Sequence, residues 1–251
     1  MKPKLLVIPS IDIKDGKTVR VVQGIAELDC LEYGNDPVEM AMLWRAENAK
    51  CIHVVDFDAS WDSSNKNMNI IEKICASVII PVQLGGGIRN LSEAKRAFDA
   101  GVYRLVIGTL YYENPEEFKK IIEKFGPKQI AFAIDSFDDE VVIKGRNKKT
   151  GIKPEQVAME MLKFGIERFI VTDVRSNGMM LGPNIPLSKS IAELTGKKVT
   201  LSGGVRSKDD LMEIQDQYGS GIDSVIVGRA LYENRFPCQR LWRVAEIGIF
   251  S

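Results

Sequence analysis

The strongest constraint on this chain is that it contains the same half twice. Gln83-Leu84-Gly85-Gly86-Gly87-Ile88-Arg89 is answered by Thr200-Leu201-Ser202-Gly203-Gly204-Val205-Arg206, and the segment from Pro37 to Asp56 is answered by that from Pro154 to Asp173. The offset is constant: 154 − 37 = 117, 173 − 56 = 117 and 203 − 86 = 117. Each half also has an apolar run around an aspartate, Ile11-Asp12-Ile13 against Ile134-Asp135-Ser136, with 135 − 12 = 123. A repeat of this length is a supersecondary unit that buries its apolar face only against its copy.

Short β-branched runs alternate with amphipathic segments throughout, the pattern of βα units around a parallel sheet. Strands are expected near 5–12, 51–56, 80–84, 104–108, 129–135, 168–173, 198–202 and 223–227. Helices are expected near 37–48, 68–76, 91–100, 115–125, 154–165, 184–194, 207–217 and 238–246. A doubled four-strand half closes into a ring without the switch in strand order that an open sheet would need. The expected architecture is therefore one α/β domain over 1–251, a (β/α)₈ TIM barrel of two half-barrels, and 251 residues match the roughly 250 typical of it. The non-periodic stretches 24–36, 59–67 and 136–153 are expected to be loops at the catalytic mouth.

Charge narrows the choice of partner. Lysine plus arginine and aspartate plus glutamate are both 34, so the net charge of zero offers nucleic acid no broad grip and any anion must be held locally. The Leu5–Ile8 run is cut short by Pro9 and Asp12, and nothing approaches about 18 continuous apolar residues, so no membrane partner is expected. An even count of cysteines admits disulfides. Cys30, Cys51, Cys75 and Cys238 form no Cys-x-x-Cys pair, however, and the expectation is reduced thiols in a cytoplasmic monomer. With His53 the only histidine, no metal centre built on imidazoles is expected.

The candidate site follows from the repeat. Adjacent glycines let backbone amides approach an anion closely, and a following helix adds its positive end. Gly86 and Gly87 with Gly108 and Thr109 form one expected phosphate cradle; Gly203 and Gly204 with Gly228 and Arg229 form the other. A small molecule phosphorylated at both ends is the expected ligand. Asp12 and Asp135 end strands one and five, which are diametrically opposed in such a barrel, and opposed carboxylates in unlike surroundings can serve as base and acid. Asp56 and Asp173 are read as carboxylates that hold neighbouring loops, with Thr172 turned to the other face of its strand and towards the site. His53, mid-strand, is read as structural. Arg89, Arg206 and Arg229 are either phosphate clamps or solvated first-turn side chains.

These residues resemble the phosphoribosylformimino aminoimidazole carboxamide ribotide isomerase family of histidine biosynthesis over almost the full length. The resemblance is carried by Ile8-Pro9-Ser10-Ile11-Asp12, Asp15-Gly16-Lys17, Val19-Arg20-Val21-Val22-Gln23-Gly24 and His53-Val54-Val55-Asp56 in the first half. Gly182-Pro183-Asn184 and Gly228-Arg229-Ala230-Leu231 in the second half set it apart from the related cyclase subunit of imidazole glycerol phosphate synthase. The resemblance implies a cofactor-free Amadori rearrangement of an aminoaldose to an aminoketose. Asp12 would be the base, Asp135 would assist ring opening or position the sugar, and Thr172 would contact the same centre. Gly178 and Arg89 would join the cradles. Three places depart from the family pattern. Asn177-Gly178-Met179 stands where the family has an aspartate that is a candidate general acid, Gly145-Arg146 stands for Gly-Trp, and Gly24-Ile25-Ala26 stands for Gly-Asp-Tyr. The alternatives are a paralogue that binds a bisphosphorylated ribotide without converting it, and a synthase subunit fed with ammonia by a glutaminase.

Overall fold

A computed structural model describes residues 4–20, 31–34 and 36–233. Eight parallel strands close into a barrel: β1 (Leu6–Lys14), β4 (Ile52–Asp56), β5 (Val82–Gly85), β6 (Arg104–Ile107), β7 (Ile130–Phe137), β10 (Arg168–Asp173), β11 (Lys198–Ser202) and β12 (Ile222–Val227). The pairing runs right round the ring, with one register shift between Val199 and Thr200 where β11 meets β12. Ile11 pairs with Val54, Val54 with Leu84, Leu84 with Leu105, Ile107 with Phe132, Val171 with Ile134 and Leu201, and Leu201 with Val225, which pairs with Val7. The helices alternate with them: α1 (Pro37–Ala46), α2 (Phe57–Asp62), α3 (Met68–Val78), α4 (Leu91–Asp99), α5 (Thr109–Glu113), α6 (Pro115–Phe125), α7 (Pro154–Met161), α8 (Ile185–Thr195), α9 (Lys208–Asp216) and α10 (Arg229–Tyr232). The eighth expected helix, 238–246, lies outside the described residues.

Because side chains alternate across a strand, each strand serves two cores. Val7, Ile11, Val54, Leu105, Phe132, Ile134, Val171 and Val225 face outwards into one large cluster with helix residues such as Ile71, Ile74, Ala97, Phe118, Ile121 and Met161. Ile8, Cys51, Val106, Ala131, Ile170 and Ile226 form a separate small cluster inside the ring. Two residues further along the same strands stand Ser10, His53, Gly108, Ala133, Thr172 and Gly228, all of which line the mouth. The inner cluster is thus the floor beneath the site. Below it Arg168 donates to Asp223 at 2.6 and 2.7 Å and to the Thr200 and Ser224 hydroxyls at 3.0 Å, satisfying buried polar groups at the closed end.

Two expected loops carry strands. Within 24–36, β3 (Leu31–Gly34) pairs antiparallel with β2 (Lys17–Arg20), which itself folds back on β1. Within 136–153, β8 (Glu140–Ile143) folds back on the end of β7 through Asp138 and Asp139, whose φ of 51° and 59° gives the two-residue turn that matches strand twist. The short strand β9 (Lys148–Lys149) extends that ribbon. The third stretch, 59–67, contains most of α2.

Candidate active site

At the C-terminal ends of the eight strands lies a cavity of about 780 Å³, within the usual range for a small-molecule site. All four expected catalytic positions, Asp12, Asp135, Thr172 and Asn177, line it, and so do all the glycines and arginines assigned to phosphate or substrate. Ring closure gathers residues more than 200 positions apart in the chain.

Asp12 and Asp135 face each other across the floor, four strands apart in either direction round the ring. Burial pushes the Asp12 carboxyl from 3.8 up to about 6, against the opposing pull of the Ser10 hydroxyl, which donates to it at 3.0 Å, and of the Arg146 guanidinium. Asp135 has a different environment: Arg146 Nε lies 3.3 Å from its Oδ2. Thr172 sits beside Asp135 in register and is buried. Burial lowers His53 from 6.5 to about 4, so its ring is neutral at pH 7, and its Nδ1 lies 3.2 Å from the Gln83 amide nitrogen. Two unlike carboxylates on one floor can divide the tasks of proton transfer and positioning.

The two cradles are built alike. Gly86 and Gly87 have φ of 98° and 73°, Gly203 and Gly204 have 93° and 85°, all in the region that favours glycine. Their small size also answers to neighbouring protein. A Cβ on Gly86 would fall well inside 3.0 Å of the Asp56 carbonyl oxygen, and one on Gly204 equally close to that of Gly182. Gly228 is different, since among the described residues a Cβ there would meet only Ser10 Cβ at an ordinary 3.7 Å. Gly108 and Gly228 each begin a short helix, α5 and α10, that is absent from the eight-helix expectation. Backbone amides at such extra helices are a recurrent phosphate site in barrels of this kind.

The arginines act as braces here. Arg89 donates from Nη1 to the Gly87 carbonyl at 3.2 Å and from Nη2 to that of Ser60 at 3.0 Å, tying the first glycine loop to α2. Arg229 donates to the Gly178 carbonyl and pairs with Glu233. Arg206, read as a possible clamp, is half exposed, does not line the cavity and is paired with Asp210 at 2.7 Å. Asp56, 1% exposed, accepts from Ala59 N at 3.0 Å and from the Asn67 amide at 2.8 Å; Asp173 accepts from the Asn184 amide at 2.7 Å. These struts also repeat, since 184 − 67 = 117, and that spacing could have located Asn67 and Asn184 beforehand.

Sequence reading missed Trp61, Phe57, Glu113, Lys144 and Tyr232, all on the cavity wall. None belongs to the glycine or aspartate repeats that guided the search. Thr109 is partly committed, because its hydroxyl accepts from Lys144 N at 3.1 Å, and Arg146 Nη1 is buried without a hydrogen-bond partner among the described residues. Cys51 and Cys75 are unpaired thiols, while Cys30, Cys238 and the Gly24-Ile25-Ala26 departure lie outside the described residues. Among the described residues no group of three or more metal-binding side chains converges, and no helix is long and apolar enough to cross a membrane.

A family model described as "Histidine biosynthesis protein" matches residues 6–237. The chain is 44% identical over 238 residues to a protein of Salinibacter ruber, covering 94% of this chain and 92% of the relative. It is 42% identical over 245 residues to one of Chloroherpeton thalassium, covering 98% and 93% respectively. A relative from Chlorobium phaeobacteroides is 44% identical over 238 residues, covering 95% and 93%. Each of the three is named 1-(5-phosphoribosyl)-5-((5-phosphoribosylamino)methylideneamino) imidazole-4-carboxamide isomerase.

Proposed function

The chain belongs to the histidine biosynthesis protein family and is an isomerase of that pathway, and from this premise we propose that Asp12 is the base that moves the proton in an aldose to ketose rearrangement. The substrate is a bisphosphorylated aminoaldose of the kind named for the relatives. One phosphate sits at Gly86, Gly87, Gly108 and Thr109, the other at Gly178, Gly203, Gly204, Gly228 and Arg229, with Arg89 holding the first loop in shape. The observation that carries this is Asp12 itself, on the floor between the two cradles, with a carboxyl at about 6. Such a group is largely ionised at pH 7 yet basic enough to take a proton from carbon.

The steps balance around two protons, one carried from C2 to C1 and one exchanged with water. The ring C–O bond breaks as the ring oxygen gains a proton, leaving a Schiff base between C1 and nitrogen. Asp12 then takes the proton from C2, giving an enaminol, and returns it to C1 as the C2 hydroxyl gives its proton to water and becomes the ketone, which offsets the proton gained by the ring oxygen. Asp135, held by Arg146, and Thr172 beside it position the opened sugar. Asn177 donates a hydrogen bond where an aspartate would donate a proton, so ring opening here draws its proton from water. The described residues of one chain supply the floor and both glycine cradles, in keeping with a monomeric unit formed by a single barrel domain. The unpaired Cys51 and Cys75 thiols support a reducing, cytoplasmic setting.

The test is turnover of the aminoaldose by purified protein, followed by chromatography of the aminoketose. Conversion by wild type and its loss in Asp12→Asn are expected. Tight binding without conversion by wild type would overturn the proposal.

A further inference from the structure

Among the described residues four aromatic rings line the cavity: His53, Phe57, Trp61 and Tyr232. Three are committed elsewhere. His53 lies in the floor beside Gln83, Phe57 is 9% exposed, and the Tyr232 hydroxyl donates to the Ser10 carbonyl at 2.9 Å. Trp61, on α2, is only partly buried. Its indole is held in place from several directions. Phe57 meets it in a T-shaped contact at 5.2 Å, the Lys14 ammonium sits 5.4 Å from its centroid, and the preceding Ser60 carbonyl is tied to Arg89. Lys14 itself does not line the cavity, so it supports the ring from behind.

The decisive contact is with the opposite wall. A Cβ on Gly145 would lie 2.6 Å from Trp61 Nε1 and 3.2 Å from its Cδ1, so the indole edge is packed on the bare backbone of residue 145. Gly145, at φ 60°, belongs to the ribbon after β7 and directly precedes Arg146. Trp61 and Gly145 therefore come from different loops and meet at one place on the rim, while the neighbouring Arg146 turns its guanidinium down to Asp135. The indole, seated on the bare backbone of Gly145 and lining the cavity, supplies an apolar recognition surface for a flat heterocycle.

We propose that Trp61 is a specificity-determining residue that stacks on the imidazole carboxamide of the substrate, with Gly145 kept side-chain-free so that the indole can reach it. The proposal rests on the isomerase function above but concerns a residue that function does not itself require. A flat aromatic ring held by neighbours stacks without losing much freedom, and base-on-aromatic stacking is typically worth about tenfold or more in affinity.

The experiment is steady-state kinetics with the aminoaldose on wild type, Trp61→Ala and Trp61→Phe, together with tryptophan emission on titration with the product aminoketose. Trp44 is 3% exposed and off the cavity and Trp242 lies outside the described residues, so emission is read with Trp242→Phe in both proteins, where a ligand-linked change that disappears in Trp61→Phe reports the indole at 61. The expected result is a KM raised about tenfold in Trp61→Ala with kcat changed less than about threefold, most of that loss recovered by Trp61→Phe, and emission that responds to ligand only when Trp61 is present. An unchanged KM in Trp61→Ala with turnover intact would overturn the proposal, as would an emission change that survives Trp61→Phe once Trp242 is also phenylalanine. If Trp61→Ala does not fold, the emission of wild type and Trp61→Phe decides. Wild type that converts nothing yet shows the Trp61-dependent emission change would sink the isomerase mechanism and leave the stacking role standing.

Discussion

Replacing Asp12 by asparagine is expected to abolish turnover and at the same time make the protein more stable. The folded state holds the Asp12 carboxyl at about 6 where the ordinary value is 3.8, because burial disfavours the charge. A raised folded-state value means that folding favours the neutral acid. The stability it allows is fully present below 3.8, and is lost as pH rises through about 6. The difference of roughly 2 pH units corresponds to about 3 kcal/mol of cost to wild type above pH 7. Asparagine removes the charge but keeps a polar amide that must still be desolvated, so a gain of about 1–2 kcal/mol is expected. For a chain of this size that is a rise in Tm of about 2–8 °C. The assay is paired thermal melting of wild type and Asp12→Asn at pH 7.5 and pH 4. The gain should be large at the higher pH and nearly vanish at the lower, where wild-type Asp12 is itself neutral. A variant no more stable than wild type at pH 7.5, or one whose advantage is the same at both values, would refute the reasoning that burial raises this group.

Other expectations follow from the same geometry. As Asp12 must be ionised to act, kcat/KM should fall about tenfold per unit below pH 6, and Ser10→Ala, which removes a hydrogen bond to the ionised form, should move that limb to higher pH; a limb near pH 4 in wild type would contradict the assignment. Asn177→Asp restores a titrating group at the cavity wall, and kcat for the aminoaldose should rise about tenfold or more, whereas no gain would show that ring opening needs no acid at 177. The glycines should separate into two kinds under denaturant unfolding and phosphate-binding calorimetry. Gly86→Ala, at φ 98° and against the Asp56 carbonyl, should cost about 2–4 kcal/mol of stability. Gly228→Ala should cost less than about 1 kcal/mol while weakening phosphate binding, because among the described residues only Ser10 Cβ is near; equal losses of stability would remove the distinction.

Much of the barrel was legible because its signals are local. Each expected strand lies within two or three residues of an observed barrel strand, since β-branched runs and the glycines that end them are set by neighbours in sequence. The ribbon at 140–149 was missed because Lys144-Gly145-Arg146-Asn147-Lys148-Lys149 reads as a polar loop, and only pairing with β7 makes Glu140–Ile143 a strand. The helices α5 and α10 have five and four residues, too short to show a period of 3.6. Arg206 was read as a possible phosphate ligand from its place after the glycines. Its nearest carboxylate, Asp210, one helical turn away, takes it out of the site instead.

What the order of residues determined alone is the duplicated frame: eight strands, two glycine cradles, and Asp12 opposite Asp135. Repeat offsets and alternation are one-dimensional properties, and a symmetric half has few ways to close on itself. What only the tertiary structure decided is the condition of each group once the ring has closed. Burial lifts Asp12 towards neutrality, Arg146 reaches Asp135, Asp56 and Ala59 leave no room for a side chain at Gly86 and Gly87, and Trp61 crosses from one loop to rest on Gly145 of another. Desolvation and contact between loops far apart in the chain depend on three-dimensional distance, which no local pattern encodes.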